Sequence, residues 1–318
     1  MNVSENPMVS VCMITYNHEP YIRQAIEGVL VQQCQFPIEI VIGEDCSTDN
    51  TRFICEEYYA RYPQLIKLLK SDFNLGMIQN FIRTLKNCTG KYIALCEGDD
   101  YWTDHYKLQK QVNLLEMNDK ISLVHSNFTL QDELNNRKET LSEIPLPKLF
   151  NTNYLIQVFS IRTCTVLLRN NRILCESFPS HLPYGDYPLF LKASLLGNIA
   201  FIDDYTAVYR RNSSGITQRT SYRIAELNRL NILQWFKCDY PEFRMPVNFA
   251  SAYLIEKYLY KMRNSKNVTS DLMTRIFLYF TFYFTTIRFK GKIVKLRPLS
   301  FIKSVIYVLW GKLNYNNT

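Results

Sequence analysis

Apolar runs and amphipathic segments alternate along the first part of the chain. The runs Val9–Ile14 and Ile38–Ile42 have the length and continuity of strands buried on both faces. Between them, Ile22, Ile26 and Val29 recur at the spacing that places apolar side chains on one face of a helix. The pattern then repeats, with a helix in each interval and further strands predicted at Ile66–Leu69, Tyr92–Cys96 and Ile121–His125. This alternation predicts an α/β fold with a mostly parallel sheet flanked by helices.

Beyond His125 the pattern is less regular. The polar stretch Gln131–Lys148 predicts an irregular excursion or a hairpin, and Arg162–Leu168 predicts a further strand. A loop rich in Pro and Gly then precedes a helix and two short strands, predicted at Leu189–Leu196, Phe201–Ile202 and Ala207–Tyr209. From Tyr222 onward the sequence becomes helical, aromatic and basic.

The formal net charge of +8 is concentrated at the end of the sequence. Residues 261–318 contain eleven Lys and Arg and one acid, Asp271, so the first 260 residues carry a net charge of −2. The apolar, aromatic run Ile276–Phe284 falls short of the roughly 20 residues that a membrane-spanning helix needs. Aromatic residues interleaved with cations are typical of a helix on an anionic membrane surface. The alternative is a helical subdomain that packs on the rest of the chain.

Nine cysteines are scattered without a C-x-x-C pair, and several lie in apolar runs. This is typical of buried thiols in a reducing compartment. The N-terminus is polar and leads directly into a strand, so no signal peptide is expected. These features predict a cytoplasmic protein, with peripheral contact at the cytoplasmic face of the membrane through the basic region. The four histidines are not closely spaced, which argues against a zinc site.

Three carboxylates, those of Glu97, Asp99 and Asp100, follow the predicted strand Tyr92–Cys96. Ligands of a parallel sheet bind at the carboxyl ends of its strands, so this position favours a site. Carboxylates this close repel one another unless a cation neutralises them. Oxygen ligands suit magnesium or manganese, bound together with the oxygens of a diphosphate. The alternative is a solvated loop with helix-capping acids.

Two more loops follow predicted strands and carry polar or aromatic side chains. In the loop Gly43–Asp49, Asp45 comes early enough to accept hydrogen bonds from a nucleobase or a ribose. The later residues Ser47–Asp49 are interpreted as N-caps of the next helix. After the first strand, Thr15–Asn17 presents an aromatic ring that could lie against a nucleobase, although a packed loop aromatic is equally consistent with the sequence.

Four motifs follow one another along the chain, namely Ser10–Asn17, Glu44–Asp49, Asn74–Gly76 and Glu97–Asp100. Together they closely resemble glycosyltransferase family 2, whose members are inverting enzymes of the GT-A fold that use nucleotide-sugar donors. The resemblance is strong from Val9 to about Val124, weaker to about Ser214, and stops there.

The resemblance implies a GT-A (Rossmann-like) catalytic domain over residues 1–220. Its donor half would cover about 1–128 and its acceptor half about 129–220. A helical C-terminal region over 221–318 would follow as a basic and aromatic appendage, with membrane association as one role for it.

The resemblance also implies roles for loop residues by position. Thr15, Tyr16 and Asp45 match the positions at which the family holds the base, usually uracil. A later loop matches the one that closes over the diphosphate, where many members carry a histidine metal ligand. Asn212 stands there in this chain. Arg210, or the arginine after it, is expected to offset the charge of the leaving diphosphate, with a salt bridge as the alternative.

The acidic run matches the D-x-D-type motif that holds the ribose, the diphosphate and a manganese or magnesium ion. Glu97 stands at the first aspartate of that motif, and Asp99 and Asp100 are the predicted metal ligands. An inverting transfer also needs a base for the acceptor hydroxyl. The family position for this base matches Asp186, in Gly185–Pro188. A helix N-terminus is expected to lower the pKa of Asp186 modestly, and a simple N-cap role is the alternative.

These observations predict an inverting, metal-dependent glycosyltransferase. Its donor would be a nucleotide-sugar, a UDP-sugar first, and its acceptor a glycan or lipid-linked glycan of surface polysaccharide synthesis. The expected partners also include an anionic membrane surface, and nucleic acid is not among them. The alternative is a non-catalytic nucleotide-sugar or membrane-binding module with a decayed site, since Glu97 and Asn212 depart from the family pattern.

Overall fold

The computed structural model describes residues 6–140, 146–159, 161–171, 174, 182–213, 215 and 221–263. For residues 222, 223 and 256–263 it describes the backbone alone. The apolar, aromatic run Ile276–Phe284 and the basic residues around it lie outside these residues. The chain divides into two compact units on either side of the Ser221–Tyr222 bond, and each unit is described separately.

The first unit follows the predicted alternation of strands and helices. Its first half contains β1 (Val9–Thr15), α1 (Ile22–Leu30), β2 (Ile38–Glu44), α2 (Thr51–Arg61), β3 (Ile66–Lys70), α3 (Met77–Lys86), β4 (Tyr92–Leu95), β5 (Tyr101–Trp102) and α4 (Lys107–Met117). Its second half contains β6 (Ile121–Asp132), β7 (Arg137–Thr140), β8 (Leu149–Phe150), α5 (Thr152–Gln157), β9 (Leu167–Arg169), α6 (Asp186–Leu195) and β10 (Asn198–Arg211).

The described strands form one sheet in the order β3-β2-β1-β4-β9-β6-β10-β5, with β7 paired to β6 and β8 to β10. Strands β3, β2, β1 and β4 pair with one another in parallel, as predicted. The other half of the sheet is mixed, because β9 runs antiparallel to β4 and β6 and β5 runs antiparallel to β10. Helices flank the sheet, so the architecture is the α/β fold that the sequence predicts.

The core lies between the central strands and their covering helices. Alternate residues of β1, such as Val11 and Met13, are fully buried, as are Ile40 and Ile42 of β2. The described cysteines are free thiols. Five of them are buried, which confirms the prediction for the apolar runs: Cys12, Cys55, Cys88, Cys96 and Cys164.

Several predicted boundaries were wrong in the second half of the unit. The segment Arg162–Leu168 is not one strand. It begins with a 3-10 turn, Thr163–Thr165, and β9 follows. The hydroxyl of Thr165 donates to the carbonyl of Arg162 at 2.7 Å, a local bond that competes with strand pairing. Helix α6 begins at Asp186 rather than Leu189, because proline is tolerated in a first helical turn.

The two short strands predicted around residues 201–209 are parts of one long strand, β10. Its register with β6 shifts between Ile202 and Ala207, where two aspartates interrupt the apolar pattern. The polar excursion after Gln131 includes a hairpin, because β7 pairs antiparallel with the end of β6. The sequence pattern had shown these elements as separate because a bulged strand loses its regular alternation.

The second unit is helical over its described residues, as predicted. It contains α7 (Tyr222–Asp239), a 3-10 turn (Pro241–Phe243) and α8 (Arg244–Arg263). The ring of Phe236 lies 4.8 Å from that of Tyr240 and 5.4 Å from that of Phe243, so aromatic contacts fix the turn. Among the described residues, no helix has both the length and the apolar character required to cross a membrane.

Candidate active site

The loops that follow β1, β2 and β4 meet at one edge of the sheet. Thr15, the last residue of β1, pairs with Glu44 at the end of β2. The main-chain N–H of Asp45 donates to the carbonyl of Thr15 at 3.1 Å, and that of Gly98 donates to the carbonyl of Ile14 at 2.9 Å. These bonds hold three of the sequence motifs against one another.

The carboxylates of the acidic run converge. One oxygen from each of Glu97, Asp99 and Asp100 lies within 4.8 Å of the other two. Burial, and then the charges of Asp99 and Asp100, raise the pKa of Glu97 well above its usual value. Burial and the charge of Asp99 likewise raise the pKa of Asp100. A divalent cation relieves such repulsion, and carboxylate oxygens suit magnesium or manganese.

Asp99 and Asp100 face different surroundings. Asp100 is 1% exposed, and its Oδ1 accepts the main-chain N–H of Arg210 at 2.8 Å. That bond and the thiol of Cys164 favour the ionised carboxylate and oppose the rise in the pKa of Asp100. The side chain of Asp99, by contrast, is 19% exposed. Asp100 therefore ties the acidic run to β10, and Asp99 is the carboxylate that meets the open side of the site.

The side chain of Arg210 is enclosed by protein. Its Nη1 donates to the carbonyl of Asp99 at 2.8 Å, and its Nε lies 3.6 Å from Oε1 of Glu133. Its guanidinium carbon lies 5.0 Å from the ring centroid of Tyr21 and 4.5 Å from that of Tyr101. Because Arg210 is only 5% exposed, its guanidinium contacts the acidic run and the surrounding side chains rather than solvent. The predicted contact of Arg210 with a donor diphosphate stays a prediction.

Two further side chains approach Asp99. Nδ2 of Asn212 donates to Oδ2 of Asp99 at 3.2 Å, so the residue at the family's histidine position does face the acidic run. Nε2 of His18 lies 4.0 Å from the same oxygen. His18 was not among the site residues predicted from the sequence. The available signal was its position three residues beyond the end of β1, in the loop that carries Tyr16.

The carboxylate of Asp45 accepts hydrogen bonds from the main chain. It is buried, and its two carboxylate oxygens accept the N–H groups of Leu75 and Gly76 at 2.8 and 3.0 Å. Gly76 has a φ of 83°, which favours glycine at this turn. Asp45 thus joins the second and third motifs, and its predicted contact with a base stays a prediction.

Thr15 and Tyr16 lie beside one another but differ in exposure. Thr15 is buried, and its Oγ1 has no hydrogen-bond partner among the described residues. Tyr16 is 40% exposed at the edge of the sheet, where its ring is accessible to a planar ligand. An accessible ring fits the predicted base contact of Tyr16 better than the alternative of a packed loop aromatic.

The predicted N-cap residues act differently from one another. Asp49 accepts the N–H of Thr51, in the first turn of α2, at 3.0 Å. Ser47 Oγ instead accepts the N–H of Asn17 at 3.0 Å, and the N–H of Thr48 donates to Oδ1 of Asn17 at 2.8 Å. The capping interpretation was therefore wrong for Ser47 and Thr48, because their polar groups bind the loop after β1.

Asp186 lies at the start of α6, as the predicted base. Its Oδ1 accepts the N–H of Tyr187 at 2.7 Å and its Oδ2 the hydroxyl of Thr163 at 3.2 Å. The expectation of a lowered pKa was wrong, because burial raises the pKa of Asp186 more than these bonds and Arg162 lower it. The charge of Asp186 also contributes to the raised pKa of Glu97, so Asp186 lies near the acidic run.

Comparison with known proteins agrees with this architecture. Residues 10–174 match the family model described as glycosyl transferase family 2. An uncharacterized protein of Mycobacterium tuberculosis is 35% identical over 208 residues, which are 65% of this chain and 60% of that protein. The chain therefore spans less than two thirds of the length of that relative.

Two further proteins are similar to the chain over larger shares of their length. The Escherichia coli UDP-Glc:alpha-D-GlcNAc-diphosphoundecaprenol beta-1,3-glucosyltransferase WfgD is 30% identical over 230 residues, 72% of this chain and 84% of that protein. The mannosyltransferase PcManGT from Pyrobaculum calidifontis, solved with GDP-Man and Mn²⁺, has a TM-score of 0.55. The two chains are 17% identical, over 98% of this chain and 89% of that one.

The similarity to PcManGT shows the fold alone. The family-model match, by contrast, covers half of the chain and includes the β1, β2 and β4 loops and the acidic run that meet at the site. This chain belongs to glycosyl transferase family 2.

Proposed function

We propose that this chain is an inverting, metal-dependent glycosyltransferase that moves a sugar from a UDP-sugar to a hydroxyl of a lipid-linked glycan. The observation that carries the proposal is the cluster of Glu97, Asp99 and Asp100, with the carboxylate of Asp186 near it. Transfer from a nucleotide-sugar needs a site for the diphosphate and a base for the acceptor hydroxyl. The acidic cluster is the proposed diphosphate site, and Asp186 is the proposed base.

The residues present fit a divalent cation, because the acidic run offers several oxygens whose mutual repulsion a cation would relieve. Asp99 has a partly exposed side chain and is the proposed principal ligand, with Glu97 or Asp100 completing the set. When bound, manganese or magnesium would neutralise charge that develops on the leaving diphosphate.

Asp186 is the proposed base. The acceptor oxygen forms a bond to the anomeric carbon while the bond from that carbon to the diphosphate oxygen breaks. The acceptor proton passes to the carboxylate of Asp186, and the nucleoside diphosphate leaves from the opposite face, so the configuration inverts. The raised pKa of Asp186 suits this role, because a base is most effective when its pKa approaches the working pH.

The proposed nucleobase of the sugar donor is uracil, because the name of the E. coli relative specifies UDP-Glc. Tyr16 offers an exposed ring for that base. PcManGT was solved with GDP-Man, so a guanine donor is the rival outcome. Thermal-shift measurements with UDP and GDP, each with and without manganese, decide between them, because a bound nucleotide stabilises the folded protein.

The lipid-linked acceptor is proposed from two features of the C-terminal region together with the acceptor named for the E. coli relative. Met245, Phe249 and Tyr253 are exposed and spaced by four residues, so they form an apolar stripe on α8. The sequence from Lys261 onward is strongly basic. The proposal predicts co-sedimentation of the full chain with vesicles containing phosphatidylglycerol, weakened by salt and absent with phosphatidylcholine alone.

The transfer reaction is tested with Asp99→Ala and Asp186→Ala, assayed against a panel of donors and undecaprenyl-diphosphate-linked acceptors. Both variants should lose activity by about 100-fold or more. Asp119→Ala is the matched control, because that side chain is 98% exposed. Wild-type rates in both site variants would exclude these assignments. Nucleotide binding by the wild-type protein without turnover on any substrate would favour the alternative, a non-catalytic module.

A further inference from the structure

His18 places an imidazole beside Asp99, a partly exposed carboxylate of the acidic run. Its Nε2 lies 4.0 Å from Oδ2 of Asp99, and both side chains are 19% exposed. This distance is too long for a hydrogen bond, so the imidazole is near Asp99 without being bonded to it. The edge of the ring that carries Nε2 therefore faces the site.

The position of His18 is fixed by its main chain. Its N–H donates to Oγ1 of Thr51 at 2.8 Å, and its carbonyl accepts the N–H groups of Tyr21 and Ile22 at 2.9 Å each. The preceding residue, Asn17, has a φ of 55°, in the left-handed region, and this local turn sets where the side chain of His18 begins. A side chain held in this way is preorganised for binding.

The other ring nitrogen indicates which one carries the proton. Nδ1 of His18 is buried and has no hydrogen-bond partner among the described residues. A β-carbon added to Gly98 would lie 3.0 Å from it, so this side of the ring is closely packed. A proton on Nδ1 would be a buried N–H without an acceptor, which is unfavourable. In the neutral form of the ring, the proton therefore lies on Nε2, which faces Asp99.

A metal-ligand role for Nε2 is disfavoured, because a ligating Nε2 would leave the ring proton on Nδ1, which has no acceptor among the described residues. An N–H at this position needs an anionic or carbonyl acceptor. The cation that the sequence predicted for the diphosphate, Arg210, is enclosed by protein, and the guanidinium of Arg211 lies 3.3 Å from Oδ2 of Asp132. His18 thus presents a hydrogen-bond donor to the acidic run, where Oδ2 of Asp99, at 4.0 Å, is too distant to accept from it.

We propose that Nε2–H of His18 donates a hydrogen bond to a diphosphate oxygen of the nucleotide donor bound at Asp99. This inference rests on the proposed function, since it needs a nucleoside diphosphate in the site. It makes His18 a donor-binding residue that stabilises the leaving diphosphate, and it identifies a contact on the β1 loop in addition to the nucleobase contacts expected there.

The test compares His18→Gln with His18→Asn. The amide nitrogen of glutamine reaches the place of Nε2, and that of asparagine reaches the place of Nδ1. Affinity is measured by calorimetry, with manganese present, for whichever of UDP and GDP the wild-type protein binds. We expect His18→Asn to weaken binding about tenfold and His18→Gln to stay within about threefold of wild type. Binding of the nucleoside alone, followed by saturation-transfer NMR, should be unchanged in both variants.

His105→Gln is the matched control, since His105 is exposed. Unchanged diphosphate affinity in His18→Asn would overturn the inference. So would equal losses in both variants together with loss of nucleoside binding, because that result means a collapsed β1 loop. If the wild-type protein binds neither UDP nor GDP, the proposed function fails and this inference fails with it.

Discussion

The amide of Asn212 donates to the carboxylate of Asp99 at 3.2 Å, which joins the end of β10 to the acidic run after β4. A substitution that removes the amide should leave Asp99 less constrained. We expect Asn212→Ala to weaken manganese-dependent nucleotide binding by about tenfold or more, because a hydrogen bond to a charged group contributes roughly 1.5–3 kcal/mol. Calorimetry with and without manganese measures it. The neighbouring exposed Ser213, changed to alanine, is the control. Equal affinity in both variants would show that Asn212 does not support Asp99.

Gly98 has no space for a side chain. A β-carbon there would lie 2.7 Å from Oγ1 of Thr15 and 3.0 Å from Nδ1 of His18. We expect Gly98→Ala to displace the β1 loop, to abolish nucleotide binding, and to lower the free energy of unfolding by about 1–3 kcal/mol. Urea unfolding and calorimetry check both effects. Gly215→Ala should be tolerated, because its nearest contact would be an ordinary 3.4 Å. A stable Gly98→Ala protein with wild-type affinity contradicts the packing argument.

The pKa of Asp186 should be visible in the pH profile. A base must be ionised, so kcat/KM should fall as the pH drops through the raised pKa of this carboxyl. The hydroxyl of Thr163 stabilises the ionised form by donating to Oδ2. Thr163→Val removes that donor, so the pKa should rise and the acid limb should move to higher pH. Thr163→Ser keeps the hydroxyl and should leave the limb in place. If the acid limb of the kcat/KM profile stays in place in Thr163→Val, the limb reports the ionisation of a group other than Asp186.

Lys107 should make stability depend on pH. Burial lowers its pKa to about 7, and its Nζ donates to Oε1 of Gln111 at 2.7 Å. Between about 7 and the ordinary lysine value, the unfolded chain binds a proton that the folded chain does not. The contribution of Lys107 to stability therefore rises with pH across this window, and it is at its lowest and no longer changes once the pH is below about 7.

Lys107→Met should remove the rise of the free energy of unfolding with pH. It should also lower that free energy by roughly 1–3 kcal/mol at every pH, because Oε1 of Gln111 loses its partner. Urea unfolding at pH 7, 8 and 9 measures the slope, and exposed Lys120, changed to methionine, is the control. Parallel stability curves for Lys107→Met and wild type would show that Lys107 is charged in the folded protein.

The first half of the fold could be predicted from the sequence because its strands are continuous apolar runs. Val9–Thr15 and Ile38–Glu44 are buried on both faces, so the pattern alone located them. The convergence of their loops followed from parallel pairing, since the carboxyl ends of parallel strands share an edge. The acidic run was identified for the same reason.

The second half could not be predicted in the same way. β10 passes two aspartates at a register shift, and its pairing with β6 and β5 depends on contacts that are distant in sequence. The raised pKa of Asp186 depends on burial, which a capping pattern does not reveal. The enclosure of Arg210 and the approach of His18 to Asp99 likewise arise from tertiary packing.

Arg210 donates two hydrogen bonds to the acidic run, one from its main-chain N–H to the carboxylate of Asp100 and one from its guanidinium to the carbonyl of Asp99. This double anchor comes two residues before Asn212. Substitutions downstream of Asn212 should therefore have little effect on the positions of Asp99 and Asp100. We expect segments of other family members, grafted after Asn212, to leave the nucleotide affinity of the protein unchanged.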